Sequence, residues 1–330
     1  MEERYRALVV KRVHDQFIVG VDNLNTADIP ENDLLIKVNY SSINYKDVLS
    51  AKGTKGITKN YPHVPGIDAV GEVVRSSSDL FELGDLVIVT GYDLGMNTWG
   101  GFGQYISVPA HWAVKLPENM TQREAAAYGT AGLTAGLCIN EIVNHVPAQA
   151  SIVVNGCTGG VGSIAVSILS GLGFRVTSLS RRADRAYLLH ILGAHAYQDA
   201  NSFIELHNSK PLSKATYHAG IDVVGGDLLS AMLKSAKYGG IVTSCGNVGS
   251  AEISTSVFPF ILRGVKLSGI DSVEPPIDSK ARVWKLLAEQ WKPHNLDKLI
   301  SEISLHELTE ALEDFPARSA GGRVIINHNL

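Results

Sequence analysis

The chain has 330 residues, 45% of them hydrophobic and 19% charged, and its 29 basic and 33 acidic side chains leave a formal net charge of −4. This balance, with short basic clusters interrupted by acids, argues against a nucleic-acid partner. The charged start of the chain has no apolar stretch behind it, and no apolar run is long enough to cross a bilayer, so we expect no secretion signal and no membrane association. The three cysteines, Cys138, Cys157 and Cys245, form no spacing motif and fit a reducing cytoplasm.

Residues 1 to about 123 carry short β patterns separated by Gly, Pro, Asn and Asp. Residues 34–38, 69–74 and 86–89 are typical of strands, and together they predict a compact β barrel. At Thr121 the pattern changes, because a possible helix N-cap is followed three residues later by Glu124. The length of the chain also predicts two domains.

From this point helices alternate with short apolar strands, which predicts a parallel sheet. The six candidate strands are residues 152–154, 176–179, 194–197, 221–224, 240–244 and 265–268. A helix is predicted around residues 279–291, and a last strand over residues 323–326.

The first of these strands runs through a glycine turn straight into a helix. Glycines at 156, 159 and 162 would allow the tight turn, the approach of the backbone to a phosphate and close packing of helix on strand. Downstream apolar residues follow helical spacing. The segment predicts a dinucleotide-binding loop with Gly159, Gly160, Val161 and Gly162 around the pyrophosphate.

The end of the next strand lies about twenty residues further on, where an acidic residue would bind the ribose of NAD. This chain has Ser180, Arg181 and Arg182 there. Two guanidinium groups and a hydroxyl suit the 2′-phosphate of NADPH. The alternative is a solvated pair of arginines, but the position favours NADPH as the cofactor.

Several short motifs occur together and in a recognisable order. They are Gly66-Ile67-Asp68, Leu83-Gly84-Asp85, the run 128–135, the glycine loop and Leu192-Gly193-Ala194. In these motifs and in their order the chain resembles the medium-chain dehydrogenase/reductase superfamily. The segments 43–47, 259–263 and 269–273 resemble the acryloyl-CoA reductase branch, whose members are often labelled quinone oxidoreductase-like.

This resemblance implies an α/β protein of two domains. Residues 1–123 and 269–330 would form a GroES-like β-barrel catalytic domain. Residues 124–268 would form an NADPH-binding Rossmann domain with a doubly wound, parallel, six-stranded sheet, and the substrate would bind between the two domains. A homodimer is expected by analogy with this fold.

Many members of the superfamily are zinc alcohol dehydrogenases, but this sequence argues against a metal. Asn44 and Ile67 stand where those relatives have a cysteine and a histidine. A carboxamide and an isoleucine cannot replace thiolate and imidazole at a tetrahedral zinc. We therefore expect no metal site.

Without a metal, the simplest reaction is 1,4-reduction of a double bond conjugated to a carbonyl group. Asn44 and Tyr45 are the candidate donors to the carbonyl oxygen, and Asp47, one helical turn on, would orient Asn44. Tyr45 could instead contact the cofactor. The alternative interpretation is that Asn44 caps a short helix and Asp47 satisfies a loop. The proton donor stays open between these groups, Tyr61 and solvent.

By the same resemblance, further residues would contact the cofactor. They are Tyr45, Thr130, Gly246, Asn247, Ile261 and Ser272. Thr130 and the Asn247 region also have simpler interpretations, as a helix residue and a turn.

The substrate that this resemblance favours is a short α,β-unsaturated acyl thioester such as acryloyl-CoA. Lys52, Lys55 and Lys59 on the loop after Asp47 would suit the phosphates of CoA, although loop lysines are usually solvated. The alternatives are a quinone or an α,β-unsaturated aldehyde or ketone. A hypothesis of another class is an NADPH-binding redox sensor with little catalysis.

Overall fold

The computed structural model describes residues 3–181, 185–315 and 322–330. They group into two compact units, one of Met1–Thr130, Val273–Ala288 and Ile300–Leu330 and one of Ala131–Ser272 and Glu289–Leu299. The chain passes from one unit to the other after Thr130 and after Ser272, and Glu289–Leu299 belongs to the second unit. The predicted division at 124 and 269, which concerns catalysis and cofactor binding, stays a prediction.

The strands, in chain order, are β1 (Arg4–Val13), β2 (Gln16–Asn25), β3 (Leu34–Ser42), β4 (Asp68–Ser76), β5 (Leu86–Thr90), β6 (Tyr105–Val108), β7 (Ala113–Lys115), β8 (Ser151–Asn155), β9 (Arg175–Ser180), β10 (Ala196–Asp199), β11 (Tyr217–Asp222), β12 (Ala236–Ser244), β13 (Lys266–Gly269), β14 (Ile300–Ser304) and β15 (Arg323–Asn327). The α-helices are α1 (Tyr45–Ala51), α2 (Gln122–Val143), α3 (Gly160–Gly171), α4 (Ala200–Asn208), α5 (Gly226–Ser235), α6 (Phe258–Arg263), α7 (Ile277–Ala288) and α8 (Leu308–Asp314). None of the helices in the described part of the chain has the length and apolar character needed to cross a membrane.

The first unit is built on antiparallel strands. β1 and β2 form a hairpin, and a seven-stranded sheet has the order β14-β15-β3-β4-β5-β7 with β6 paired to β3. Its apolar side chains bury themselves in two clusters, one of which includes Ile36, Val73 and Val87. The strands predicted at 34–38, 69–74, 86–89 and 323–326 are all confirmed and are slightly longer than predicted.

The second unit contains the predicted six-stranded sheet, and every pair of neighbouring strands in it is parallel. Its order, β10-β9-β8-β11-β12-β13, is that of a doubly wound Rossmann sheet. All six predicted strands are present. Two are shifted: β10 begins after a turn at Gly193 (φ +78°), and β11 ends at Asp222, whose carboxylate binds the backbone N–H groups of Val224 and Gly225.

Helix α2 begins as predicted, because Thr121 and Glu124 cap it reciprocally at 3.0 and 3.2 Å. It is interrupted at Gly129, whose φ of +49° and ψ of −153° are not helical. A Cβ atom at this position would lie 2.2 Å from Oδ2 of Asp68. The kink therefore requires glycine, and it directs the next residue, Thr130, toward that carboxylate.

Candidate functional site

A buried carboxylate organises the polar centre of the first unit. Oδ1 of Asp68 accepts hydrogen bonds from the backbone N–H of Thr130 at 2.9 Å and from its hydroxyl at 2.5 Å. Oδ2 accepts from the hydroxyl of Ser42 at 2.6 Å and from Nδ2 of Asn44 at 2.7 Å. Asp68 thus joins two residues predicted from the sequence, Asn44 as a candidate catalytic residue and Thr130 as a candidate cofactor contact.

The countercharge is Arg323, the first residue of β15, which is almost completely buried. Its guanidinium donates to Oδ1 of Asn44 at 3.1 Å, to the hydroxyl of Ser42 at 2.7 Å and to the carbonyl of Ala127 at 3.0 Å. It also lies 3.4 Å from Oδ2 of Asp68. A buried carboxylate is costly unless it is paired and hydrogen-bonded, and this one is both.

Asp47 is fully buried and contacts the backbone on either side of this centre. Its Oδ2 accepts from the N–H of Asn44 at 2.7 Å, and its Oδ1 accepts from the N–H of Ile67 at 2.9 Å. Burial, reinforced by the nearby charge of Asp68, raises its pKa to about 7. The predicted pairing of Asp47 with Asn44 is thus made through the backbone, and Asp68 and Arg323 orient the amide side chain instead.

The other predicted residues of this unit lie on or just after α1. Tyr45 begins the helix and its side chain is 52% exposed. Lys52, Lys55 and Lys59 are exposed on the loop that follows. The hydroxyl of Tyr61 donates to the carbonyl of Ser50 at 3.0 Å, and burial raises its pKa. Tyr61 is therefore engaged in holding this loop.

The donor set at this centre does not fit a zinc ion. The carboxamide of Asn44 is hydrogen-bonded to Asp68 and Arg323. The side chain of Ile67 has no atom that could bind a metal, its backbone N–H donates to Asp47 and its carbonyl accepts from the N–H of Gly91. Within residues 3–181, 185–315 and 322–330, no group of three or more His, Cys, Asp or Glu side chains is arranged to hold a metal.

In the second unit the predicted glycine loop connects β8 to α3. Gly156 has a φ of +58°, Gly159 is the N-cap residue, and Gly160, Val161 and Gly162 form the first turn of the helix. A Cβ atom at Gly162 would lie 2.4 Å from the carbonyl oxygen of Gly156. The first backbone N–H groups of the helix have no partner within the helix, and with no side chains on these glycines a ligand can approach them closely. This is the geometry of a phosphate-binding site.

The strand end predicted to distinguish NADPH from NAD is also in place. Ser180 is the last residue of β9, and its carbonyl accepts from the hydroxyl of Tyr197 at 3.3 Å. Arg181 follows it and is exposed. Arg182, the second predicted arginine, lies outside the described residues.

The remaining predicted cofactor contacts are distributed over three segments. The hydroxyl of Thr134 donates to that of Ser272 at 2.8 Å. Gly246 packs against the carbonyl of Val223, Asn247 is exposed beside it, and Ile261 on α6 is 68% exposed. The structure thus places Ser272 within hydrogen-bond distance of Thr134 and leaves Ile261 largely exposed.

Sequence reasoning missed the residues that hold these loops. Asp222, at the end of β11, accepts from Nδ2 of Asn155 at 2.5 Å, from the N–H of Gly225 at 2.9 Å and from the hydroxyl of Ser244 at 2.9 Å. It therefore ties together the ends of β8, β11 and β12. The available signal was a single charged residue within an otherwise apolar strand pattern: Asp222 in the predicted strand 221–224 and Arg323 in the predicted strand 323–326.

Comparisons with known proteins agree with this architecture. Residues 30–118 match the family described as Alcohol dehydrogenase GroES-like domain, and residues 160–289 match Zinc-binding dehydrogenase. The predicted GroES-like domain is thereby confirmed.

Three relatives are similar over nearly their whole length. YhfP of Bacillus subtilis, named as a quinone oxidoreductase, is 41% identical over 99% of both chains, and its structure with NAD bound gives a TM-score of 0.94 over 98% and 99% of the two chains. The acrylyl-CoA reductase AcuI of Ruegeria pomeroyi is 36% identical over 98% of this chain and 99% of its own. The yhdH oxidoreductase of Salmonella enterica in complex with NADP is 34% identical, with a TM-score of 0.93 over 98% and 99% of the chains.

Proposed function

The chain belongs to the medium-chain dehydrogenase/reductase superfamily of oxidoreductases, and on this basis we propose that it is an NADPH-dependent, zinc-independent reductase of a short α,β-unsaturated acyl thioester such as acryloyl-CoA. One observation carries the proposal. The centre that would hold a catalytic zinc is occupied by an oriented carboxamide, Asn44, between a carboxylate and a guanidinium. A carboxamide is a hydrogen-bond donor suited to a carbonyl oxygen that gains negative charge.

The cofactor assignment rests on two features of the second unit. The glycine loop at the start of α3 suits a pyrophosphate, and Ser180 with Arg181 suits a 2′-phosphate better than an acid would. Two similar solved structures contain NADP or NADPH and one contains NAD, and the strand-end residues of this chain favour NADPH. When bound, NADPH supplies the hydride.

Residues of the protein would bind and orient the unsaturated thioester that accepts the hydride. Nδ2 of Asn44 would donate to the thioester carbonyl and stabilise the enolate oxygen that forms when the β carbon is reduced. Tyr45, exposed at the start of α1, would line the same approach. The lysines at 52, 55 and 59 would bind the phosphates of CoA.

A second candidate is the reduction of quinones, because the similarity to YhfP, at 41% identity, is higher than the similarity to AcuI. A quinone carbonyl could accept from Asn44 in the same way. The two candidates differ in the role of Lys52, Lys55 and Lys59, since a quinone has no phosphates for them to bind.

The test is to follow NADPH oxidation with acryloyl-CoA, acryloyl-pantetheine, a quinone and a simple enone, with NADH as the cofactor control. The proposal expects the highest kcat/KM for acryloyl-CoA and formation of propionyl-CoA. It also expects a lower value for acryloyl-pantetheine, which lacks the nucleotide phosphates. If the quinone is reduced at least tenfold faster than the thioester, the second candidate replaces the first.

We further propose that residues 1–123 and 269–330 act as the catalytic domain and 124–268 as the cofactor domain, in a cytoplasmic homodimer. Support for the homodimer comes from the edge of the six-stranded sheet. Within the described residues β13 pairs only with β12, and two leucines are exposed in this region, Leu267 on β13 and Leu262 on the preceding helix α6. Unpaired apolar strand edges favour pairing with another chain.

A further inference from the structure

The amide of Asn44 has a single orientation that its surroundings can accept. Asp68 can only accept hydrogen bonds and Arg323 can only donate them. Nδ2 must therefore face Asp68, at 2.7 Å, and Oδ1 must face Arg323, at 3.1 Å. An inverted amide would set donor against donor and acceptor against acceptor.

This arrangement also affects how strongly Asn44 donates. A cationic donor on Oδ1 withdraws electron density from the amide, so that its N–H groups become better donors, as in any chain of hydrogen bonds in a buried site. One hydrogen of Nδ2 is committed to Asp68. The second hydrogen donates only weakly, because the distance from Nδ2 to the carbonyl oxygen of Ser42 is 3.4 Å, near the limit for a hydrogen bond. It can therefore form a hydrogen bond to a stronger acceptor in place of Ser42.

We propose that Arg323, paired with Asp68, is a positioning residue that directs this second hydrogen of Asn44 to the carbonyl oxygen of the acceptor and strengthens it as a donor. The inference rests on the proposed function, because it requires an acceptor with a carbonyl group. Arg323 itself is buried beneath Asn44 and touches neither substrate nor cofactor in this role.

The arrangement is rigid because all three guanidinium nitrogens of Arg323 are hydrogen-bonded. Nε is bound to the carbonyl of Ala127, and Nη2 is bound to the hydroxyl of Ser42. A lysine at this position would keep the charge, but it has no planar fork and could not bind all these groups in fixed directions. Charge and geometry can therefore be separated by substitution.

The test compares Arg323→Lys with Ser41→Ala. Ser41 is the matched control, because it lies beside Ser42 on the same strand, is equally buried and bonds to His328 at 3.0 Å instead of to this cluster. We expect Arg323→Lys to lower kcat at least tenfold, to change the NADPH dissociation constant less than twofold and to increase the isotope effect with NADPH deuterated at the transferred position. Ser41→Ala should leave all three values within twofold.

A double-mutant cycle with Asn44→Ala separates positioning from general damage. If Arg323 acts through Asn44, Arg323→Lys should lower kcat less than twofold in the Asn44→Ala background. If the two losses multiply, or if kcat of Arg323→Lys in the wild-type background stays within twofold, the proposal is wrong. Should Arg323→Lys fail to fold, the pair Asp68→Asn with Arg323→Gln removes both charges together and is subject to the same criteria.

The proposal can fail separately from the proposed function. If the wild-type protein does not reduce acryloyl-CoA, the thioester assignment is wrong, and the same variants are compared with the quinone or enone that the protein does reduce. A further measurement needs no substrate and uses protein labelled with 15N in asparagine. Arg323→Lys should shift the side-chain amide signals of Asn44, Ser41→Ala should not, and unchanged Asn44 signals in Arg323→Lys would overturn the proposal.

Discussion

At the scale of single residues, the proposed preference for NADPH assigns a role to Arg181, directly after β9. We predict that Arg181→Ala raises the dissociation constant for NADPH about tenfold, because a charge-assisted bond to phosphate is worth about 1.5–3 kcal/mol. Binding of NADH should change less than twofold. Arg175→Ala is the control, since Arg175 is exposed at the opposite end of the same strand. Titration of cofactor fluorescence measures both constants, and an equal loss for NADPH and NADH would contradict the assignment.

A second prediction at this scale concerns Asp47. Its pKa in the folded protein, about 7, lies above the unfolded value of 3.8. Between these values the folded state holds a proton that the unfolded state has lost, so the free energy of unfolding should fall as pH rises through this range. The slope is at most about 1.4 kcal/mol per pH unit.

The check is thermal unfolding of wild type and Asp47→Asn from pH 4 to pH 8. The variant should be less stable at pH 5, because both oxygens of the protonated carboxyl group keep a lone pair for the N–H groups of Asn44 and Ile67, whereas the NH2 group of an amide cannot accept. It should also lose this part of the pH dependence. Parallel curves for the two proteins would show that Asp47 does not titrate in this range.

At the scale of the element, helix α3 provides a matched pair of glycines. Gly162→Ala should weaken NADPH binding at least tenfold and lower the melting temperature, because the added methyl group would lie 2.4 Å from the backbone oxygen of Gly156. Gly171→Ala, at the other end of the helix, meets nothing within 4 Å and should leave binding unchanged. It should stabilise the protein by up to about 1 kcal/mol. Equal cofactor affinity in the two variants would exclude a close approach of ligand and loop at Gly162.

At the scale of the whole molecule, the exposed edge of the six-stranded sheet predicts the assembly. The double variant Leu262→Asp and Leu267→Asp should convert a homodimer into a monomer, since each copy would then carry one charge on the edge strand β13 and one on the preceding helix α6, where an apolar contact is expected. Light scattering after size exclusion gives the mass. Leu206→Asp is the control, because Leu206 is 61% exposed, at least as much as the two substituted leucines, but lies on α4. A wild-type protein with the mass of one chain would refute the homodimer.

Local sequence patterns determined most of the fold. Short β patterns, the capping pair Thr121 and Glu124, and six apolar segments predicted the two kinds of architecture, all six strands of the parallel sheet and four strands of the first unit, but not β1, β2, β6, β7 or β14. These features depend on residues close together in the chain, so spacing and propensity are sufficient to find them. The glycine loop and Ser180 were found in the same way.

Only the tertiary structure revealed what orients the candidate site. Asp68 and Arg323 are 255 residues apart in sequence, and Asn155 and Asp222 are 67 apart. No local period relates such pairs, because they meet only when strands from distant parts of the chain pair in one sheet. The same reason explains the correction at Asp47. Its spacing from Asn44 predicted a shared helix face, but the strongest partners of the amide of Asn44 came from elsewhere in the fold, where a buried anion and a buried cation must satisfy each other.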